Sequence, residues 1–505
     1  MKLVLKNKSF VLVVILKLIF CVLFINHLKD ENSFCFIKEP NTEIGTEEGY
    51  LSTIENLLKN GEYYYDGIFT KSKMYAPRVP GVSLSYLIFR YFFSKITAIN
   101  CLIIFQTLIF LVSVFFFSKT LTKSDNENKK GFIFLLIFGF DTYLSYYNQI
   151  PVLSESFSVS ITLFSLYFLY KIITDLKNKH ILKFGLFIAL SFFFRITNIV
   201  LVISSIVILS YLLFTLGTPR KKAIFKLLIF ITPFILMESI WVARNYVKTE
   251  RIIPLQEMKG HTDINIMNQN NDIYNSCINF CKSFGGDWIH WNPKSTMAWF
   301  STDDYLKTMN FKRPGIEVFP KHIQENPKAI ENLEKARNFW FISKDESISE
   351  YKRKIYIKNA ISIFDSLKKD NYENHSFLFH IGSRFLVSYN LLFGSSTYHI
   401  PYSFENANLF EKIIKINSRI IYYVVMLIPF LFFPYYVIKY KYLRNYLIDF
   451  SYLSFLGFIS MYAFLFRTTE FRFNHMMYLF CMVITINALI KLFDNKMIKK
   501  YFFST

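Results

Sequence analysis

Residues 199–222 read IVLVISSIVILSYLLFTLGTPRKK and decide the class of this protein. The run 199–216 contains no charged residue, and Arg220, Lys221 and Lys222 follow it after the three residues 217–219. An uncharged apolar run of this length is typical of a transmembrane helix. A basic cluster beside such a run is typical of a cytoplasmic loop. The segment therefore predicts a membrane span whose C-terminal end faces the cytoplasm.

The same pattern recurs along the chain, of which 52% is hydrophobic and whose mean hydropathy is +0.28. Runs long enough to span a membrane occupy residues 10–28, 99–118, 131–149, 152–171, 182–197, 199–216, 224–243, 419–438, 447–466 and 474–491. The stretch 181–216 is short for two helices, but a single span there would place Arg220 outside. The run 82–93 is shorter still and contains Arg90, so it predicts an interfacial or re-entrant helix.

The positions of the basic residues explain the net charge of +21. With the N-terminus inside, every short inside segment is basic, whereas the outside turns at 149–152 and 197–199 carry no Lys or Arg. This alternation is the positive-inside pattern of membrane proteins. It excludes nucleic-acid binding as the reason for the charge, and it predicts that both termini are cytoplasmic.

The predicted fold is an all-α polytopic membrane protein of about ten transmembrane helices, with a large extracytoplasmic loop domain of mixed or mainly α structure. Residues 1–254 form an N-terminal membrane module whose first outer loop, 29–98, is acidic. Residues 255–416 form the extracytoplasmic domain, and residues 417–505 form the C-terminal transmembrane helices. Within the outer domain, the pattern predicts helices over 322–341 and 346–368.

Two further features concern single side chains. Lys17 lies inside the first apolar run, and we expect it to snorkel toward the cytoplasm. Cys277 and Cys281 lie in the outer segment, where their spacing leaves a local disulfide open. Without a histidine partner, the same spacing is weak evidence for a metal site.

Ionisable residues in or beside the membrane are costly, so each one is a functional candidate. Those that the topology places at or toward the outer face are Glu47, Glu48, Arg78, Asp141, Glu155, Arg195, Glu238, Arg244, Arg467, Glu470, Arg472 and His475. A mixed cluster of acids and bases at one face suits an anionic lipid headgroup that reacts there. The alternative is interfacial solvation combined with structural ion pairs.

Several short motifs occur in a fixed order along this topology. They are Glu47-Glu48-Gly49-Tyr50, Asn56-Leu57-Leu58, Gly61-Glu62-Tyr63, Arg78-Val79-Pro80-Gly81, Leu153-Ser154-Glu155-Ser156, Phe194-Arg195, Trp241-Val242-Ala243-Arg244-Asn245-Tyr246 with Ile253-Pro254, and Glu470-Phe471-Arg472-Phe473. In this order and placement the chain resembles the GT-C glycosyltransferases that use polyprenyl-phosphate sugars, in particular protein O-mannosyltransferases and lipid A aminoarabinose transferases. The resemblance covers residues 1–255 and 415–495 and leaves 255–415 unmatched.

The resemblance implies transfer of a hexose or pentose from a polyprenyl-phosphate donor to a protein, lipid or glycan acceptor at the outer face. Arginine suits the departing phosphate because its planar fork pairs bidentately with phosphate. The candidates are Arg195, Arg244 and Arg472, with Arg78 as a further one. Glu47 stands where the family usually has Asp, and this extra methylene leaves Glu48 as the alternative acceptor-orienting acid. Glu155 would support that acid, with a divalent metal in some relatives.

Three other classes of function remain open at this point. A lipid-linked sugar flippase would also bind polyprenyl phosphate through arginines, but transporters typically show internal repeats and helices broken near the midplane, and the sequence shows neither. A polysaccharide polymerase or ligase would use pyrophosphate-linked donors. A non-catalytic membrane scaffold is the third. The C-terminus, Phe502-Phe503-Ser504-Thr505, has no endoplasmic-reticulum retention signal, which favours a bacterial plasma (inner) membrane.

Overall fold

The computed structural model describes residues 10–19, 50–66, 73–76, 78–120, 136–149, 154–256, 271–288, 294–308, 312–345, 347–394, 408–439, 445–467 and 474–493. This part of the chain is almost entirely helical. Its strands form a single antiparallel ladder of two residues each, in which Tyr65 pairs with Met74.

The elements fall into two halves along the chain. The first half comprises α1 (Phe10–Ile19), α2 (Ser52–Asn60), β1 (Tyr65–Asp66), β2 (Lys73–Met74), α3 (Gly81–Arg90), α4 (Lys95–Ser118), α5 (Thr142–Gln149), α6 (Glu155–Thr174), α7 (Asn178–Phe194), α8 (Ile199–Thr215) and α9 (Arg220–Thr249). The second half comprises α10 (Asn271–Phe284), α11 (Thr296–Trp299), α12 (Asp303–Thr308), α13 (Lys321–Gln324), α14 (Pro327–Ile342), α15 (Glu350–Asn374), α16 (Ser383–Phe393), α17 (Leu409–Lys439), α18 (Tyr446–Ser460) and α19 (Asn474–Phe493).

Among the described residues, six helical segments are long and apolar enough to cross a membrane. They are Lys95–Ser118, Glu155–Thr174, Ile196–Thr215, Arg220–Thr249, Lys415–Ile438 and Tyr446–Phe466, and two shorter apolar helices are Phe10–Ile19 and Asn474–Ile490. The stretch 181–216 forms two helices, α7 and α8, as the sequence predicts. The run 82–93 forms the ten-residue α3, which is too short to span a bilayer.

The third predicted span, 131–149, is not one continuous helix in its described part. Residues 136–140 are helical, Asp141 leaves the helical conformation, and α5 begins after it. The Asp141 carboxylate accepts a hydrogen bond from the Leu144 backbone N–H at 2.8 Å, which is the geometry of a helix N-cap. A capping side chain in the middle of the apolar run therefore interrupts the predicted span.

Small residues and apolar contacts hold the helical bundle together. A Cβ atom at Gly185 of α7 would lie 2.0 Å from the Phe230 carbonyl oxygen of α9, so this close helix contact requires glycine. The outer surface of α9 is left open, since only 6% of its most apolar window is buried. Ile224, Leu228 and Ile240 are among its exposed side chains. Such a surface suits hydrocarbon rather than water.

Residues 271–394 contain a second apolar core, built mainly from α10, α14 and α15 and centred on aromatic side chains such as Trp340 and Phe364. The predicted helices over 322–341 and 346–368 are confirmed, with one change: the first is divided into α13 and α14. Asn326 causes this division, because its side chain accepts hydrogen bonds from the N–H groups of Lys328 and Ala329, and Pro327 starts α14. Cys277 and Cys281 are buried free thiols in this core and form no disulfide.

The segment α2–α3 packs on the ends of α4, α6 and α7 that lie at one face of the bundle. Within the segment, Arg90 makes a bidentate contact with Glu55, at 2.8 and 3.1 Å. Gly81 brings the start of α3 against the end of α7, since a Cβ there would lie 2.6 Å from the Phe193 carbonyl oxygen. This close approach places the residues just before α3 beside the residues just after α7.

Lys344, at the end of α14, provides a test of the second core. Its Nζ is buried without a hydrogen-bond partner among the described residues, 5.5 Å from the ring centroids of Trp340 and Phe341. Burial lowers the pKa of Lys344 to about 8. The unfolded chain binds this proton below about pH 10.5, whereas the folded protein binds it only below about pH 8. Burial of this amine therefore destabilises the folded protein increasingly as pH falls from about 10.5, and the destabilisation is complete below pH 8.

We therefore expect Lys344→Met to raise the free energy of unfolding at pH 7 by about 1–3 kcal/mol. The measurement is unfolding of the detergent-solubilised protein between pH 7 and 10.5, and the gain should shrink across the upper part of that range. The exposed Lys352 of α15 supplies the control, Lys352→Met, which should change little. A destabilised Lys344→Met variant would contradict the burial of this amine.

Candidate active site

The centre of the candidate site is an ion pair between two helix ends. Glu155 is the first residue of α6 and Arg195 directly follows α7; their side chains are 2% and 9% exposed. Arg195 Nη1 lies 2.5 Å from Glu155 Oε1. Arg195 also donates to Ser154 Oγ at 3.3 Å and to Thr197 Oγ1 at 3.1 Å. The sequence predicts both residues as site candidates, and the structure brings them together.

Two tyrosines, neither of which is among the predicted site residues, complete this centre. The Tyr462 hydroxyl, from the π-helical turn Met461–Phe466 that ends α18, contacts Arg195 and Thr197. Tyr50, just before α2, is close enough to interact electrostatically with Arg195. The site thus draws on α6, α7, the end of α18 and the segment before α2. Tyr50 ends the Glu47-Glu48-Gly49-Tyr50 motif, whereas no sequence signal distinguishes Tyr462 among the 33 tyrosines of the protein.

Arg78 also contacts Tyr50. Its guanidinium carbon is 4.8 Å from the centre of the Tyr50 ring, a cation–π contact. Arg78 Nε is buried and has no hydrogen-bond partner among the described residues. A buried donor without an acceptor is uncommon and requires an explanation. Arg78 contacts Tyr50, Tyr50 interacts electrostatically with Arg195, and Arg195 pairs with Glu155. These four residues are called the cluster around Tyr50.

Arg244 occupies a different position, at the end of α9. Its guanidinium donates to the backbone carbonyls of Tyr63 and Tyr75 and, at 2.9 Å, to Asn245 Oδ1. It also stacks near the Trp241 ring, at 5.3 Å. These bonds tie the β1–β2 ladder to α9. The geometry favours a tethering role for Arg244, and phosphate binding by this residue stays a prediction.

A second polar contact joins the same two segments. Glu62 lies just before β1. One of its carboxylate oxygens is 3.1 Å from Nζ of Lys73, in β2, and the other is 3.1 Å from Nζ of Lys248, near the end of α9. The hydrogen bonds from Lys73 and Lys248 hold the pKa of Glu62 below its ordinary range. Together with Arg244, this contact fixes the first loop over the helix ends.

The predicted residues Glu47, Glu48 and Arg472 lie outside the described residues. In sequence, Glu47 and Glu48 precede Tyr50 by three and two positions. Within the described ranges, no group of three or more His, Cys, Asp or Glu side chains is arranged to hold a metal ion. Glu155, for which the resemblance implies a divalent metal in some relatives, is paired with Arg195.

A network of polar side chains that includes Lys17 and Asp141 lies inside the bundle, rather than at a membrane surface as the sequence predicts. Lys17 is fully buried and donates to Ser145 Oγ, so the prediction that it snorkels toward the cytoplasm is wrong. Asp141 accepts from the Tyr478 hydroxyl at 2.7 Å. Tyr478 in turn stacks on Tyr422, with ring centroids 5.4 Å apart. Tertiary partners on other helices satisfy Lys17 and Asp141, which is why neither extends to a membrane surface.

No protein-family model, curated protein or solved structure matches this chain.

Proposed function

We propose that this protein is a membrane glycosyltransferase that moves a sugar from a polyprenyl-phosphate donor to an acceptor hydroxyl or phosphate. The observation that carries the proposal is the cluster around Tyr50, in which Arg78 Nε is buried and finds no hydrogen-bond acceptor in the described part of the chain. A phosphate oxygen is the acceptor that such a donor lacks. The resemblance of the motifs that contain these residues to the GT-C enzymes supports the same assignment.

The chemistry requires one bond to break and one to form. The bond between the sugar's anomeric carbon and the phosphate oxygen breaks, and the acceptor oxygen bonds to that carbon while its proton passes to a carboxylate. Negative charge develops on the departing phosphate, where Arg78 and Arg195 would stabilise it. Glu47, or else Glu48, would take the proton. Glu155 positions the Arg195 guanidinium, because it is already committed to that ion pair.

The proposal includes a topology of about ten spans with both termini in the cytoplasm of a plasma (inner) membrane. The starts of α6 and α8 and the ends of α7 and α9 then lie outside, together with residues 255–416. The absence of Lys and Arg from the turns at 149–152 and 197–199 supports this orientation through the positive-inside rule. The site would then react with donors in the outer leaflet.

A second candidate function is transport of a lipid-linked sugar across the membrane. The interruption at Asp141 and the buried Lys17–Ser145 contact favour it, because transporters often carry broken helices and ionisable groups inside the bundle. The cluster around Tyr50 favours transfer, since it places two cations and a carboxylate at the end of the bundle rather than along a path through it. A polymerase or ligase with a pyrophosphate donor would use the same cluster.

Cells that lack the protein provide the test of the proposed function. Loss of a transferase should cause a monosaccharide-monophosphate polyprenyl lipid to accumulate in the outer leaflet, where a membrane-impermeant oxidant such as periodate reaches its sugar. Loss of a flippase should instead cause the same lipid to accumulate in the inner leaflet, protected from the reagent. Lipid extraction and mass spectrometry with and without the reagent measure both. No accumulation in either leaflet would contradict the proposal.

A further inference from the structure

A basic cavity lies where residues 271–394 meet the end of α18, separate from the cluster around Tyr50. Its volume is about 340 Å³, and it is lined by Asn279, Lys282, Lys368, Phe379, Phe464, Leu465 and Arg467. Three of these seven side chains are cations and none is acidic. A cavity of this composition has the charge of an anion-binding site.

The cations of the cavity are held in place by the surrounding structure. Arg467 adopts a left-handed backbone conformation, with φ of 49°, and donates from Nη1 to the Lys282 carbonyl at 3.2 Å. The Trp288 indole N–H donates to the Arg467 carbonyl at 2.8 Å, and Lys282 Nζ lies 5.1 Å from the centre of the Trp288 ring. These contacts fix Lys282 and Arg467 side by side.

This concentration of positive charge has no counter-ion within the described residues. None of Lys282, Lys368 and Arg467 forms an ion pair there. Arg384 is close enough to Arg467 to repel it electrostatically. Burial, and then the charge of Arg467, lower the pKa of Lys282. Like charges kept together at a cost in free energy indicate that a bound anion offsets their repulsion.

An apolar surface adjoins the cavity. Phe464 and Leu465, which line it, are 57% and 73% exposed, and they end a helix that is apolar enough to cross a membrane. On the neighbouring segment, Phe377, Phe385 and Tyr389 are also exposed. Lipid hydrocarbon would cover such aromatic and aliphatic side chains at the end of a membrane helix. The anion that fits the cavity is therefore attached to an apolar chain.

We infer that this cavity binds the phosphate headgroup of an anionic membrane glycerophospholipid, with Lys282, Lys368 and Arg467 on the phosphate and the lipid chains along Phe464 and Leu465. A donor lipid is a poorer fit here. The π-helical turn Met461–Phe466 contributes different side chains to the two sites. Tyr462 contacts Arg195 in the cluster around Tyr50, whereas Phe464 and Leu465 line the cavity. A sugar held in the cavity would lie away from Glu155.

The experiment measures binding of dioctanoyl phosphatidylglycerol to the full-length protein in detergent, beside dioctanoyl phosphatidylcholine and inorganic phosphate. Phosphatidylglycerol should bind tightest, and salt should weaken it. Lys282→Gln or Lys368→Gln should each lower its affinity about five- to tenfold. The matched control is Lys358→Gln, which removes the same charge from an exposed position on α15 and should have no effect. Equal loss in Lys358→Gln would overturn the assignment to the cavity.

Two further arms distinguish the sources of the phosphate. Leu465→Gln should weaken phosphatidylglycerol and leave inorganic phosphate unchanged. If inorganic phosphate bound as tightly as the lipid, the cavity would be a soluble-anion site. If a short-chain polyprenyl phosphate displaced the lipid at equal concentration, the cavity would belong to the donor. Because removal of one crowded cation relieves repulsion, Lys282→Gln should unfold no earlier than wild type without lipid, which separates lost binding from lost folding.

Discussion

Replacing Glu155 with glutamine is expected to destabilise the protein by about 3–5 kcal/mol, because it leaves the Arg195 guanidinium as an uncompensated buried charge. Glutamine keeps the size of the side chain and one oxygen acceptor, so the loss reports the charge rather than the packing. With side chains only 2% and 9% exposed, this is a buried ion pair, and removing one partner of a buried ion pair is strongly destabilising. Unfolding of the detergent-solubilised protein by heat or denaturant measures the effect.

The double variant Glu155→Gln/Arg195→Met separates stability from activity. With both charges gone, most of the lost stability should return, whereas sugar transfer should not return, because the phosphate has lost an arginine. The half-exposed pair Glu55–Arg90, at 2.8 Å, supplies the control, and Glu55→Gln should cost below about 1 kcal/mol. If the single Glu155→Gln variant were as stable as wild type, this would contradict the presence of a buried ion pair between Glu155 and Arg195.

The sequence predicts those parts of the fold that depend on local pattern. The apolar runs give the helical membrane class, the basic cluster at Arg220 separates α7 from α8, and periodicity gives α14 and α15. Glu155 and Arg195 are also found from sequence, since ionisable residues beside apolar runs stand out. Their pairing across 40 positions is not local and comes only from the packing of α6 against α7.

The features that the sequence misses depend on partners far apart in the chain. Lys17 contacts Ser145, 128 positions away, and Asp141 accepts from Tyr478, 337 positions away. A window of neighbouring residues contains neither partner, so the local sequence predicts that Lys17 extends to the nearest membrane surface. The basic cavity has the same origin, because Lys282, Lys368 and Arg467 come from three separate elements. Tyr462 is missed because tyrosine is common throughout, and the role of Tyr50 is missed because the site candidates are restricted to ionisable acids and bases.

The second large effect is expected at the acidic pair before Tyr50. Glu47→Gln, or else Glu48→Gln, should lower the rate of transfer about 10²- to 10⁴-fold, because the acceptor's proton loses its base. Donor binding should stay near the wild-type level, since this carboxylate acts on the acceptor. Glu47→Asp should retain partial activity, because the GT-C glycosyltransferases that the motifs resemble usually carry Asp at that position. Glu43→Gln, an acid in the same stretch but outside the motif, is the matched control and should transfer normally.

Sugar transfer from a polyprenyl-phosphate donor to an acceptor can be measured with the reconstituted wild-type protein. The protein is placed in liposomes with a polyprenyl-monophosphate sugar and a hydroxyl-bearing acceptor, and product is measured per molecule of bound donor, beside the two Gln variants. We expect sugar on the acceptor with wild type, and donor binding without product in one of the variants. The proposed function would be contradicted if wild type moved the lipid-linked sugar across the bilayer and formed no product, or if both Gln variants matched its rate.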